Sequence, residues 1–150
     1  MSATSHLEPI LLIEDDEDEA LLLQRALERN QVAGPVIRLT NGLDAIKYLN
    51  GAPPFGDRKL HPLPRLIITD LQMPLMDGFE VVAAVRIHVQ CCVVPIIMMS
   101  NSALEQHIHK AYQLGANSYI VKPQKLEDLV RVVGLSMQYW NMCAKPDVGY

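Results

Sequence analysis

LIITDLQMPLMDG, residues 66–78, sets four apolar-to-β-branched residues directly against an aspartate. The run Leu66–Thr69 has no polar alternation, the pattern of a strand covered on both faces. Asp70 follows it at once, Pro74 stands four residues on, and Gly78 four after that. A polar residue before a turn is an ordinary way to end a strand. The alternative is that the strand exists to present Asp70, and the rest of the chain decides between the two.

Working outward, further strand-like runs occur at Ile10–Ile13, Val36–Leu39, Val94–Met98 and Ser118–Val121. Helix-period stretches separate them. Ala20, Leu23, Ala26 and Leu27 mark the first; Leu43, Ile46 and Leu49 the second; Val81, Val82, Val85 and Val89 the third. Ser102-Ala-Leu-Glu105 has the spacing of a capping box and predicts the start of a fourth, which closes at Gly115. A fifth is predicted from about Gln124 to Trp140. Strand and helix alternating five times predicts an α/β fold, a doubly wound parallel sheet with helices on both faces. Residues 51–64, rich in proline and glycine, read as an exposed loop.

The bulk composition narrows the function classes. A chain of 150 residues suits one domain, with 49% hydrophobic and 20% charged residues as in ordinary globular proteins. A net charge of −4 offers no basic footprint, which argues against a direct nucleic-acid partner. No apolar stretch approaches the ~18 residues that would predict a membrane span. The start MSATSHLEPI has neither a basic head nor an apolar core, so no signal peptide is expected. Cys91, Cys92 and Cys143 form no CxxC pair, which favours buried or half-buried thiols in a reducing, cytoplasmic setting.

In open parallel sheets, ligands bind beyond the carboxyl ends of the strands, so the residues just after each strand carry the chemistry. The first strand is followed by six acids, Glu14 to Glu19. A helix N-terminus welcomes negative charge and accounts for some of them, at Glu17 to Glu19. It does not account for acids packed at the strand end itself, where a hard divalent cation would relieve the repulsion; Asp15 and Asp16 are the expected ligands. The other strand ends deliver Asp70, Ser100 and Lys122. Together they offer a carboxylate to carry a phosphoryl group, a hydroxyl to hydrogen-bond it and an ammonium to neutralise it.

On these residues the chain resembles the receiver domains of two-component response regulators. The resemblance covers about residues 8–140 and rests on Glu14-Asp15-Asp16, on Asp70 in TDLQMPLMDG, on Ser100 after PIIMM, and on Tyr119-Ile-Val-Lys122-Pro123. It implies a flavodoxin-like sheet in strand order 2-1-3-4-5 and a phosphoacceptor role for Asp70, fed by a sensor histidine kinase. It implies Mg²⁺ held by Asp15, Asp70 and the backbone carbonyl of Gln72, with Asp16 acting partly through water. Ser100 and Tyr119 match the switch pair that turns inward on phosphorylation, and Pro74 and Gly78 the turn beside the site. Gln72 and Ser102 fall beside the water that would hydrolyse the phosphoryl group.

More narrowly, the long loop before strand three, the SYIVKP segment and the Tyr-Trp late in helix five resemble single-domain, phytochrome-associated response regulators. The tail NMCAKPDVGY departs from that group's aliphatic ending and leaves the kinase open. The expected organisation is a receiver domain over 8–141, short flexible termini at 1–7 and 142–150, and no output domain.

Three rival readings are weaker. A haloacid-dehalogenase-like phosphatase wants a second acid two residues after the nucleophile, where this chain has Gln72. A dinucleotide-binding domain wants GxGxxG after strand one, where this chain has acids. A receiver-like interaction module that takes no phosphate has no need of the acid, aspartate, serine and lysine set. His107 and His109 are two apart on a helix and make a poor metal pair; these and His6, His61 and His88 read as surface histidines.

Helix five carries two apolar stripes. Leu126, Leu129, Val130, Val133, Met137 and Trp140 suffice to dock it on the sheet. Val132, Leu135 and Tyr139 form a second stripe, which predicts a homodimer through this face.

Overall fold

The computed structural model describes residues 7–146. Five strands, β1 (Ile10–Ile13), β2 (Val36–Leu39), β3 (Leu66–Thr69), β4 (Ile96–Ser100) and β5 (Ser118–Val121), alternate with five helices. These are α1 (Glu17–Arg29), α2 (Gly42–Asn50), α3 (Gly78–Arg86), α4 (Glu105–Leu114) and α5 (Leu126–Met142). All strand pairs are parallel, in the order β2-β1-β3-β4-β5. This is the doubly wound sheet expected from the alternation, in the flavodoxin-like order that the family resemblance implies.

Successive strand residues point to opposite faces, and both faces are covered. Ile10, Leu12, Leu66, Ile68, Ile97 and Met99 meet Leu23 and Leu27 of α1 and Leu129, Val133 and Met137 of α5. Leu11, Ile13, Ile67, Ile96 and Met98 meet Leu49 of α2, Val81, Val82 and Val85 of α3 and Ala111 of α4. Each fully buried aliphatic side chain contributes about 1.5–3 kcal/mol. The two layers hold the sheet rigid and leave its carboxyl edge as the open surface.

Four strands match the sequence reading residue for residue, whereas β4 lies two residues later than Val94–Met98. Pro95 has no N–H to give to the ladder, and Val94 N–H is already spent on the Cys91 carbonyl in a turn. As a result Ser100 is the last strand residue, buried, rather than the first of a loop.

The helices differ in detail. Val89 falls beyond α3 and is exposed, because His88 Nδ1 accepts from the N–H groups of Gln90 and Cys91 and turns the chain away. Leu43 is also exposed; the inward face of α2 is Gly42, Ala45, Tyr48 and Leu49. The capping box at Ser102 does not form: α4 begins at Glu105, with Leu104 as N-cap and no side-chain cap. Helix α5 starts at Leu126 and continues two residues past Trp140. Val132 is half-buried against the α1/α5 core, so it leaves the second stripe, whose exposed members are Leu135 and Tyr139 joined by Met142.

The loop at 51–64 is fastened rather than free. Arg58 donates to the carbonyls of Tyr48, Leu49 and His61, Tyr48 Oη donates to the Pro62 carbonyl, and Leu63 is fully buried. His61 packs edge-on against the rings of Tyr48 and Phe55. Among the described histidines His61, His88 and His107 are half-buried and only His109 is exposed; His6 lies outside the described residues. Cys91 is buried, which pushes its thiol up to about 11. Cys143 is half-buried and Cys92 exposed. No helix among the described residues is long and apolar enough to cross a membrane.

Candidate functional site

The sheet places the site by extending its own ladder one residue past β1, β3 and β5. Glu14 N–H donates to the Leu39 carbonyl, Asp70 N–H to the Ile13 carbonyl and Lys122 N–H to the Ser100 carbonyl. Ile13 stands opposite Thr69, so the next residues along, Glu14 and Asp70, emerge side by side. Asp70 is 9% exposed, and its Oδ1 accepts from the Leu71 N–H at 2.7 Å. Glu14 is 1% exposed, and its Oε1 has no hydrogen-bond partner among the described residues.

Lys122 Nζ lies across these acids, 3.2 Å from Glu14 Oε2, 3.3 Å from Asp70 Oδ2 and 2.7 Å from Glu19 Oε2. Its ammonium is largely shielded from water. Burial alone would lower its pKa, but Glu19, Asp70 and Glu14 outweigh that and raise it, so it stays charged. Burial pushes the Glu14 carboxyl up to about 9, with Glu19 and Asp70 adding to the rise and Lys122 opposing it. Glu19 is held down at about 2, first by its hydrogen bond with Glu14, then by Lys122 and Asn101.

Ligand oxygens of Glu14, Asp15 and Asp70 all lie within 4.8 Å of one another. Three carboxylates, one with an orphaned buried oxygen, make a hard-oxygen donor set suited to a divalent cation of the Mg²⁺ or Mn²⁺ class. Asp16, expected as a ligand, is not in this group. It is the N-cap of α1, and its Oδ1 accepts from the Glu19 N–H at 2.9 Å. Glu14 takes its place. The signal was available: Glu14 follows its strand as directly as Asp70 follows its own. Glu19 is the other residue the reading missed; no spacing rule points from the first turn of α1 to Lys122.

Gln72 is exposed in the turn after Asp70, and Leu75 takes a left-handed φ of 66° there. Gly78 closes that turn with an N–H to the Leu71 carbonyl at 2.8 Å. Ser100 Oγ accepts from the Ser102 N–H at 3.1 Å, and the Ser102 carbonyl accepts from Tyr119 Oη at 2.8 Å. The expected switch pair is thus joined through Ser102. Ser102 Oγ also meets His107 Nδ1 at 2.6 Å, and His107 packs against Phe79. The structure therefore gathers Asp70, Lys122, Ser100 and Asp15, links Tyr119 at one remove, and leaves Asp16 to the helix cap.

A model of the response regulator receiver domain family matches residues 10–134. A protein of Methanothrix harundinacea described as the probable methanogenesis regulatory protein FilR2 is 34% identical, over 87% of this chain and 82% of its own length. Response regulator Rcp1 of Synechocystis is 30% identical, over 87% of each chain. The phosphorylated cyanobacterial phytochrome response regulator RcpA superposes with a TM-score of 0.86 at 29% identity, covering 94% of this chain and 99% of that one. A Mn²⁺-bound form of a response regulator Rcp1 gives 0.83 at 28% identity, covering 93% and 99%.

Proposed function

Because the chain belongs to the response regulator receiver domain family, we propose that Asp70 accepts a phosphoryl group from a phosphohistidine of a sensor histidine kinase. The observation that carries this is the aim of one buried ammonium and one ladder-fixed carboxylate at the same point beyond the sheet. Asp70 Oδ2 would form the new bond to phosphorus as the phosphorus–nitrogen bond of the donor breaks, and the imidazole keeps the electron pair. Lys122 stays charged and neutralises the incoming oxygens; Ser100, on the last residue of β4, is within the same edge to donate a hydrogen bond. Glu14, Asp15, Asp70 and the Gln72 carbonyl would hold Mg²⁺, which when bound screens the repulsion between the carboxylate and its anionic donor. The Mn²⁺-bound Rcp1 supports a divalent site in this family.

The likeness to the phytochrome response regulator RcpA supports a phytochrome-type kinase as the donor, and the unpaired cysteines support a reducing, cytoplasmic setting. The chain acts as a phosphoacceptor, with slow self-dephosphorylation as its own chemistry, and signals by a surface change that begins at Ser100 and Tyr119. The exposed residues Leu135 and Tyr139 of α5 support a homodimer through that helix. The receiver unit is assigned to residues 8–141.

Incubation with acetyl phosphate and Mg²⁺, followed by intact mass, tests the assignment. One phosphoryl group should add to the parent and none to Asp70→Asn, with both folded by circular dichroism. Undiminished labelling of Asp70→Asn would overturn it.

A further inference from the structure

An ammonium has three N–H donors, and Lys122 has all three aimed at carboxylates. The shortest contact is to Glu19, which lies outside the cluster that suits a metal ion. Glu19 stands three residues after the Asp16 N-cap, where a glutamate ordinarily turns back to the cap. Here both its oxygens reach across the sheet edge instead. Oε1 accepts from Asn101 Nδ2 at 2.8 Å and Oε2 from Lys122. The side chain is 32% exposed and borders a cleft of about 210 Å³ lined by Leu22, Pro123 and Gln124, so there is space for it to swing aside.

We propose that Glu19 is a competing counter-ion. It occupies Lys122 in the unphosphorylated protein and has to yield that ammonium before a phosphoryl group can be held, so its charge restrains phosphorylation of Asp70. The inference rests on the reading of Asp70 as phosphoacceptor. A lysine with every donor engaged gains a new partner only by releasing an old one. Asp70 is the atom source of the new bond and Glu14 beside it is fully buried, which leaves the partly exposed Glu19 as the ligand to be displaced. Its negative charge also opposes the donor's approach, and opposes a doubly charged donor more than a singly charged one.

The test uses the full chain with Mg²⁺ and two small donors, acetyl phosphate, mostly a dianion, and phosphoramidate, a monoanion. Asp70 Oδ2 attacks phosphorus; acetate or ammonia departs, the first with the electron pair as an anion, the second with a proton from its zwitterionic donor. Glu19→Gln keeps the side chain's length while removing its charge. It should raise the labelling rate with acetyl phosphate about 10-fold, equivalent to ~1.4 kcal/mol of barrier, and with phosphoramidate by less. Asn101→Ala, which unties Oε1, should move the rate in the same direction by a smaller factor. An unchanged or slower rate in both variants would overturn the inference, because Glu19 would then be neutral or serve to position Lys122. An equal gain with both donors would also overturn the charge argument. Failure of the parent itself to label with either donor would instead overturn the phosphoacceptor reading, and this inference with it.

Discussion

A Cβ at position 78 would lie 2.3 Å from the carbonyl oxygen of Asp70. Glycine therefore lets the start of α3 press directly on the backbone that carries the phosphoacceptor, where backbone has no flexible end to yield. Gly78→Ala should separate the two, costing roughly 1–3 kcal/mol as an overpacked site. It should also slow acetyl phosphate labelling, since Asp70 shifts with its carbonyl. Urea denaturation and labelling rates check this; a parent-like midpoint and rate would show that the turn relaxes at no cost.

Glu14 gives a stability profile with a definite sign. Its folded pKa of about 9 lies above the ordinary 4.5, so between those values the folded protein keeps a proton that the unfolded chain has lost. Metal-free stability should therefore fall as pH rises through that window. Glu19, held at about 2, works at the other end: its contribution is present above pH 4.5 and is lost as pH falls toward 2. Glu14→Gln should abolish most of the alkaline decline and be more stable than the parent at pH 8 without metal, by on the order of 2 kcal/mol. With Mg²⁺ the ranking should narrow or reverse, because the variant loses a ligand. Thermal unfolding at several pH values, in chelator and in Mg²⁺, decides it; parallel profiles for parent and variant would refute the assignment of the titration to Glu14.

These outcomes depend on features that differ in how far the sequence disclosed them. The sheet was legible because most of its strands are largely apolar runs separated by helix-period stretches, and Asp70, Ser100 and Lys122 were legible because each stands at a strand end. β4 was misplaced where Pro95 interrupts the ladder, since apolarity alone does not count hydrogen bonds. The acid cluster beside Asp70 contains Glu14 and not the expected Asp16, because the residue directly past β1 shares the register of Asp70, a signal that is easily passed over within a run of six acids. Glu19 and the Ser102–His107 pair depend on side chains meeting across elements distant or offset in the chain, which periodicity does not encode.

The link from site to surface runs through Ser102. Its N–H donates to Ser100 Oγ and its carbonyl accepts from Tyr119 Oη. If Ser100 turns toward a phosphoryl group, it gives up the Ser102 N–H, and the loop holding Tyr119 is freed to move. Ser100→Ala should label at Asp70 but show a smaller change in the near-ultraviolet or NMR signals of Tyr119. Lys122→Ala should fold, label at least about 10-fold more slowly, and fail to pass the change to Tyr119. Parent-like spectral changes in both variants would rule this route out.

The α5 face should bring two copies together. Leu135 is 56% exposed and Tyr139 70%, and Met142 extends the same stripe to 87%. Val132, half-buried against the core, is not available to it. The inward side of α5 is already satisfied by Leu129, Val133 and Met137, so docking on the sheet does not explain the outward residues. Single exposed apolar residues are common, but three along one helix at helical spacing form a seam. A symmetric dimer would need to bury about 1,200–2,000 Å² in total, more than this seam alone, so flanking polar residues must join it. Sedimentation at micromolar concentration should show a dimer for the parent. Leu135→Asp with Tyr139→Asp should give a monomer that still labels at Asp70, since neither residue touches the site. A monomeric parent in both phosphorylation states, or a dimer that survives the double substitution, would place any association elsewhere.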